Sequence, residues 1–257
     1  MKNDYEKFTQ SFYQLSGIDL SQYKEAQMKR RLTSFYERKG FDCFLGLLEA
    51  IKKDPEVLEE LLDKMTINVS EFYRNGARWD ILKQQILPGL LQSNSSLKVW
   101  SAACSTGEEP YTLAMILREF LLPLQFRILA TDIDEGAMAK AKEGLYHERS
   151  IQELPDYYRE KWLIQQDQWY AVKDELKKRI EFKKHNLLDD PYPQNLDLIV
   201  CRNVLIYFTE EAKHKLYKKF ASSLKIGGVL FVGSTEQIFR PDEFNLKVVS
   251  PFFYKKI

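Results

Sequence analysis

The chain has 257 residues, of which 44% are hydrophobic and 29% are charged, and its formal net charge at pH 7 is +1. This length allows one large domain, or a small domain joined to a medium one. The near-zero charge gives no overall field that would draw the chain to nucleic acid or to a membrane. The polar start MKNDYEKFTQ does not resemble a signal peptide, and no apolar run reaches the ~18 residues of a membrane span.

The three cysteines are far apart and form no CxxC pair, so neither a disulfide scaffold nor a zinc site is indicated. No HExxH motif or acid cluster offers a metal site either. We therefore expect a reduced, cytoplasmic protein that binds no metal.

The first part of the chain carries apolar side chains at helical spacing, without a strand pattern. One helix is predicted near the N-terminus, one from Ser21 to Gly40, and others after Asp42 and after Pro55. These helices predict an N-terminal helical domain over residues 1–85.

From about residue 95, short apolar runs alternate with helical stretches. The predicted strands are LKVWSAA, FRILATDID, NLDLIVCRN, GGVLFVGS and LKVVSPFFYKK. This alternation predicts an α/β domain over residues 86–257, with a mostly parallel sheet and an antiparallel last strand. The stretch from Tyr146 to His185 is too long for a simple crossover. We expect it to hold an inserted β-subdomain of two or three strands, at about residues 146–185.

The loop after the first of these strands reads VWSAACSTGEEPY, over residues 99–111. Ligands of open parallel sheets bind at the carboxyl ends of the strands, and a phosphate would sit at the start of the next helix. Glu108 and Glu109 already occupy that start, and they would repel phosphate but suit a cation such as S-adenosylmethionine. An equally weighted alternative is that both acids only complement the helix dipole. We expect Glu108 to meet the ligand, Glu109 to serve the dipole, and Gly107 to need unusual torsions.

Three further strand ends carry polar residues. Asp132, in ATDID, can accept hydrogen bonds from ribose hydroxyls, which fits NAD and S-adenosylmethionine equally, whereas Asp134 is interpreted as a helix cap. The sequence HNLLD can place an amide and an aliphatic side chain near adenine, and CRNVLIYF puts Arg-Asn at the sheet edge. The DPYP run resembles the D/N-P-P-Y motif of amino-group methyltransferases, but it precedes its strand instead of following it.

Together, several motifs resemble those of the chemotaxis receptor methyltransferases, the CheR family. They are NVSEFYRN at 68–75, SAACSTGEEPY at 101–111, ATDID at 130–134, HNLL at 185–188, CRNVLIYF at 201–208 and LKIGGVLFVGSTE at 224–236. The resemblance implies a class I S-adenosylmethionine-dependent methyltransferase domain of Rossmann-like fold, an N-terminal all-helical domain and a small inserted antiparallel β-subdomain. It also implies methylation of glutamate side chains on chemoreceptors, with S-adenosylhomocysteine as the product.

The resemblance assigns site residues by motif position. Those expected to bind the cofactor are Asn68, Ser70, Arg74, Gly107, Glu108, Asp132, Asn186, Leu187, Arg202 and Asn203. Tyr207 is expected to line the path of the methyl group. Either Arg74 or Arg202 is expected to orient a carboxylate, and Arg202 is expected to share in catalysis in this way. Without the resemblance, NVSEFYRN would read as a linker with a helix cap at Asn68 or Ser70.

The second helix carries six basic residues and two acids between Lys24 and Lys39. A solvated helix face would explain them. An acidic receptor helix as substrate favours recognition by Arg30, Arg31 and Arg38 instead. The expected partner is the cytoplasmic helical region of chemoreceptors, without nucleic acid or membrane insertion, and the protein is expected to be a monomer.

Three other functions are compatible with parts of the pattern. They are a small-molecule or nucleic-acid methyltransferase on the same fold, a non-catalytic module that binds S-adenosylmethionine or a receptor, and a NAD enzyme. The acidic helix start disfavours the NAD enzyme, and the lack of a broad basic surface disfavours a nucleic-acid substrate.

Overall fold

The computed structural model describes residues 2–66, 68 and 70–257. The chain divides into two compact units, Met1–Asn68 with Tyr207–Lys215, and Val69–Ile206 with Leu216–Ile257. The division after residue 68 differs from the boundary expected at residue 85. The reason is that Trp79 packs against Phe231 of the main sheet, with ring centroids 5.6 Å apart, which ties its helix to the second unit.

The first unit is helical, as predicted. Its helices are α1 (Lys2–Ser16), α2 (Glu25–Arg38), α3 (Phe44–Lys53) and α4 (Pro55–Met65). The fully buried side chains of Phe8, Leu32, Leu47 and Leu61 form its core. Helix α2 begins later than predicted, because Ser21 lies in a short 3-10 turn, Leu20–Gln22. The Ser21 N–H donates to the Asp19 side chain at 2.9 Å.

Residues 207–215 complete this unit. The Lys24 N–H donates to the Tyr207 carbonyl at 2.8 Å, and the Thr209 N–H donates to the Gln22 carbonyl at 2.9 Å. Tyr207 is therefore held by the chain segment that leads into α2.

The second unit alternates helices and strands. The helices are α5 (Gly76–Ile81), α6 (Leu87–Leu91), α7 (Glu108–Phe120), α8 (Glu135–Glu143), α9 (Asp156–Trp162), α10 (Asp174–Lys177) and α11 (Glu210–Ser223, which starts in the first unit). The strands are β1 (Leu97–Ala102), β2 (Phe126–Asp132), β3 (Leu145–His147), β4 (Leu163–Gln166), β5 (Trp169–Val172), β6 (Ile180–Lys184), β7 (Leu196–Cys201), β8 (Leu224–Val232), β9 (Leu246–Ser250) and β10 (Phe253–Lys256). No helix among the described residues is long and apolar enough to cross a membrane.

The main sheet has the strand order β6-β2-β1-β7-β8-β10-β9. Its first five strands are parallel, and β10 runs antiparallel to both β8 and β9. Every residue of β7 is buried, as is expected of a parallel strand covered on both faces. The expected α/β class is confirmed, and the final run LKVVSPFFYKK forms the two strands β9 and β10.

The inserted subdomain is a three-stranded antiparallel sheet of order β3-β5-β4. Strand β6, which lies at the end of the 146–185 stretch, does not belong to this sheet. Strand β6 pairs instead in parallel with β2, with Ile180 beside Ile128, and forms an edge of the main sheet. A short, charged edge strand has the same alternation as a hairpin strand, so the pattern alone cannot distinguish them.

Trp79 provides a test of this packing. Its side chain is 1% exposed, and its indole N–H donates to the Arg74 carbonyl at 3.1 Å. We expect Trp79→Ala to destabilise the protein by about 3–5 kcal/mol, since a large cavity would remain beneath Phe231. Urea unfolding of this variant should be compared with that of Trp169→Ala, because the Trp169 side chain is 47% exposed. The Trp169→Ala substitution should lower the free energy of unfolding by less than about 1 kcal/mol. Equal losses in both variants would contradict this account of the core.

Candidate cofactor site

Four neighbouring parallel strands, β6, β2, β1 and β7, end at one edge of the main sheet. The loops that follow them carry most of the residues predicted to bind the cofactor. Backbone hydrogen bonds join these ends: the His185 N–H donates to the Asp132 carbonyl, and the Cys104 N–H donates to the Thr131 carbonyl, both at 2.9 Å. The structure therefore brings the predicted residues of these loops to a common edge.

The loop after β1 has an unusual backbone. Ala103, Ser105 and Gly107 have positive φ angles of 61°, 48° and 96°. A Cβ on Gly107 would lie 2.8 Å from both the Ala141 Cβ and the Tyr146 hydroxyl, which itself donates to the Thr106 carbonyl. Glycine is thus favoured for both torsion and space, which confirms the prediction that Gly107 needs unusual torsions.

Asp132 is buried at the end of β2. Its Oδ2 accepts the Ser105 N–H at 2.7 Å, and its Oδ1 accepts the Asp134 N–H at 3.0 Å. Burial raises the pKa of Asp132, and these backbone donors oppose the rise. An ionised carboxylate offers about four lone-pair sites, so it can still accept hydroxyl donors. Asp134 accepts the Ala137 N–H at 2.9 Å, which confirms it as the cap of α8.

Glu108 lies buried at the first position of α7. Its carboxylate accepts the Thr106 hydroxyl at 2.6 Å and is also hydrogen-bonded by the Ser70 hydroxyl. Burial raises the pKa of Glu108, and the two hydroxyls oppose the rise. The structure therefore unites Ser70 of the first motif with the acid of the β1 loop.

Glu109 does more than complement the helix dipole, which corrects the expectation for this residue. It accepts the Ser101 hydroxyl at 2.9 Å, and its Oε2 lies 3.6 Å from Nη1 of Arg202. Burial raises the pKa of Glu109, and the Arg202 guanidinium opposes the rise. Glu109 is thus one half of a buried ion pair between the ends of β1 and β7.

Arg202 is engaged inside the protein. Its Nη2 donates to the Arg74 carbonyl at 2.9 Å and to Asn75 Oδ1 at 3.3 Å. Its Cζ lies 5.0 Å from the Trp79 ring and 4.9 Å from the Phe231 ring. The guanidinium therefore fixes the backbone at residues 74–75, and its roles in catalysis and cofactor binding stay predictions.

Residues 70–75 of the NVSEFYRN motif, which lie in the second unit, form a hydrogen-bonded loop and do not cap a helix through Ser70. Tyr73 and Asn75, on either side of Arg74, have φ angles of 58° and 61°. The Tyr73 N–H donates to the Thr112 hydroxyl of α7 at 3.1 Å. Neither Asn68 nor Ser70 caps α5, whose N-cap position is Asn75. Asn68 belongs to the first unit, where its Nδ2 donates to the Thr66 hydroxyl at 3.2 Å.

The turn after β6 is held by its own side chains. Asn186 Oδ1 accepts the Leu188 N–H at 3.0 Å, and the Asn186 N–H donates to Asp190 Oδ2 at 2.8 Å. Leu187 is buried, and Lys219 Nζ donates to the Leu188 carbonyl at 3.0 Å. Asn186 and Leu187 therefore occupy a rigid turn next to the end of β2.

Sequence reasoning missed one acid at this edge. Asn203, with φ of 62°, donates its N–H to Oε2 of Glu236 at 2.8 Å. Glu236 lies in the run LKIGGVLFVGSTE, which contributed to the resemblance, but its position just past a buried strand was the only local signal. Glu236 meets Asn203 because β7 and β8 are neighbours in the sheet, and the sequence alone does not show that pairing.

Two of the remaining predicted residues meet in the first unit. The Arg31 Cζ lies 4.6 Å from the centre of the Tyr207 ring, and Arg31 Nη1 donates to the Met65 carbonyl at 2.8 Å. Arg30 and Arg38, by contrast, are exposed. Arg31 is therefore partly structural, while Arg30 and Arg38 face solvent.

In the described part of the chain, no group of three or more His, Cys, Asp or Glu side chains could hold a metal ion.

The family model described as "CheR methyltransferase, SAM binding domain" matches residues 68–251, and "CheR methyltransferase, all-alpha domain" matches residues 3–66. The second unit is thus the S-adenosylmethionine-binding domain of a methyltransferase.

Similar curated proteins cover the whole chain. A chemotaxis protein methyltransferase of Listeria innocua serovar 6a is 45% identical over 257 residues, which are 100% of this chain and 98% of that protein. A chemotaxis protein methyltransferase of Borreliella burgdorferi is 39% identical, over 99% of this chain and 94% of its own length. The chain belongs to the CheR methyltransferase family, and its cofactor is S-adenosylmethionine.

Gly107→Ala tests the geometry of the loop. The added Cβ would meet Ala141 and Tyr146, and alanine tolerates the φ of 96° poorly. We expect calorimetric affinity for S-adenosylhomocysteine to fall by about tenfold or more, equivalent to ~1.4 kcal/mol. The matched control is Gly89→Ala, where the Cβ meets nothing within 4 Å and affinity should not change. Unchanged affinity in Gly107→Ala would show that the loop does not shape the cofactor site.

Proposed function

We propose that this protein is a protein-glutamate O-methyltransferase that modifies the cytoplasmic helices of chemoreceptors during sensory adaptation. The observation that carries the proposal is the full-length similarity to proteins named chemotaxis protein methyltransferases, together with the matched cofactor domain. The acceptor is then a glutamate carboxylate, and the place of action is the cytoplasm.

The chemistry of such a transfer asks little of the protein. A glutamate side chain, with a reference pKa of about 4.3, is ionised at pH 7 and needs no general base. A carboxylate oxygen forms a bond to the methyl carbon, the carbon–sulfur bond breaks, and its electron pair stays on sulfur to give S-adenosylhomocysteine. Catalysis is then mainly in-line alignment and exclusion of water.

The buried acids of the sheet edge suit the cofactor's cationic and hydroxyl groups. We assign the ribose hydroxyls to Asp132 and the ammonium group to Glu108, because both carboxylates are buried and held by neighbouring donors. Asn186 and Leu187 are assigned to the adenine, Asn68 and Asn203 to further contacts with the cofactor.

Of the two arginines proposed to orient a carboxylate, Arg74 is the better candidate. The Arg202 guanidinium is already paired with Glu109 and hydrogen-bonded to the Arg74 carbonyl and to Asn75. The Arg74 side chain is only half-buried, and it adds positive charge near Glu109. Tyr207 is assigned to the path of the methyl group, with Arg31 against its ring.

Receptor recognition is assigned to the exposed basic side chains of α2. Arg30 and Arg38 face solvent, whereas Arg31 is bound to the Met65 carbonyl and to Tyr207. An acidic receptor helix would be attracted to the two exposed arginines, and this attraction would weaken with salt.

The direct test is incubation with methyl-labelled S-adenosylmethionine and receptor-containing membranes, followed by mild base. Carboxyl methyl esters release the label as methanol, whereas methylated amines do not. We expect base-labile label on the receptor, and much less with the Gly107→Ala variant. Receptor label that survives base, or no receptor label from a protein that binds the cofactor, would overturn the proposal.

The double substitution Arg30→Glu/Arg38→Glu tests receptor recognition. We expect KM for receptor to rise about tenfold, because two attractive charges become repulsive, while affinity for S-adenosylhomocysteine stays unchanged. Lys140→Glu/Lys142→Glu is the control, since it makes the same charge change on exposed positions of α8 and should leave KM unaltered. A loss of cofactor affinity, or an equal rise in KM for the control, would contradict recognition by α2.

A further inference from the structure

Glu236 is a buried carboxylate just past β8, 4% exposed, and it gathers four backbone donors. Its Oε2 accepts the N–H groups of Asn203 at 2.8 Å and Gly233 at 2.7 Å. Its Oε1 accepts those of Leu205 at 2.7 Å and Ile206 at 3.3 Å. Three of these donors come from one short segment, Asn203–Ile206, which directly follows Arg202.

The main sheet does not hold the backbone of this segment. Strand β7 ends at Cys201, so the ladder bonds of the sheet stop before Asn203. Asn203 has a φ of 62°, in the left-handed region, which asparagine occupies more often than most side-chain-bearing residues. Such conformations persist where the surroundings over-determine them, and they cluster at functional sites. Here the Glu236 carboxylate supplies that constraint and satisfies donors that would otherwise lack partners.

Gly233 leaves the space that the carboxylate needs. A Cβ at this position would collide with Glu236 Oε2 and would lie 2.9 Å from the Asn203 nitrogen. The Gly233 φ is not positive, so alanine could adopt its backbone conformation. Only the close approach of the carboxylate to Asn203 therefore requires glycine here.

We propose that Glu236 is a positioning residue for the cofactor site, whose carboxylate holds the Asn203–Ile206 backbone so that Asn203 meets S-adenosylmethionine. The inference rests on the cofactor role assigned to Asn203 under the proposed function. Glu236 acts through the backbone and does not itself touch the cofactor. Its four acceptor bonds explain why an acid, and not merely a space-filling residue, is needed.

Glu236→Gln is the first test. Glutamine keeps the shape, but one of its ends becomes a donor that faces backbone N–H groups. We expect calorimetric Kd for S-adenosylhomocysteine to rise about tenfold or more at a temperature where circular dichroism shows the variant folded. KM for S-adenosylmethionine should rise more than kcat falls. Glu243→Gln, at an exposed position in the 3-10 turn Pro241–Phe244, should leave Kd and KM unchanged.

Gly233→Ala is the second test, and it displaces the carboxylate without altering its chemistry. We expect a similar loss of cofactor affinity, and the double variant should be no weaker than the worse single one, because both changes break the same set of bonds. If Glu236→Gln does not fold, Gly233→Ala alone decides.

Folded variants that keep full cofactor affinity would overturn the inference, as would a loss of thermal stability with no change in Kd. Additive losses in the double variant would also count against a shared mechanism. The calorimetric Kd needs no receptor, so this result is independent of whether the methylated group proves to be a glutamate, whereas KM and kcat are measured with the receptor as acceptor.

Discussion

Buried carboxylates at the carboxyl edge of the parallel sheet are the constraint on which the site depends. A carboxylate removed from water is costly unless it is hydrogen-bonded or paired. Asp132 and Glu236 are satisfied by backbone N–H groups, Glu108 by hydroxyls, and Glu109 by Arg202 and Ser101. The acids and the loops therefore fix one another, and several residues of these loops, including Ser105 and Asn203, have positive φ angles.

This arrangement sets what the edge can bind. In a dinucleotide enzyme, the N-terminus of the helix after the first strand offers its N–H groups to a pyrophosphate. Here that position is Glu108, buried and negatively charged when ionised, next to a glycine that has no room for a side chain. The same fold therefore favours a cofactor with cationic groups and no phosphate, and the match to a family domain that binds S-adenosylmethionine agrees with this.

Local signals in the sequence predict much of the fold and part of the site. A few neighbouring residues are enough to recognise a buried strand, the spacing of a helix, the cap at Asp134 or the need for glycine at position 107. The sheet membership of β6, the ion pair of Glu109 with Arg202, and the donors of Glu236 join residues tens of positions apart. No periodicity encodes such pairings, so only the folded chain reveals them. The contact of Trp79 with Phe231, which joins α5 to the main sheet, is a long-range pairing of the same kind.

The claim that an acidic strand edge selects a cationic cofactor is tested most directly by calorimetric titration of the full chain with S-adenosylmethionine and, separately, with NAD⁺. Both ligands contain adenine and ribose. S-adenosylmethionine also carries a sulfonium and an ammonium group, whereas NAD⁺ carries a pyrophosphate. The account predicts saturable binding of S-adenosylmethionine that weakens in Asp132→Asn, and no measurable binding of NAD⁺ at the same concentrations. Binding of NAD⁺ with comparable affinity would contradict it.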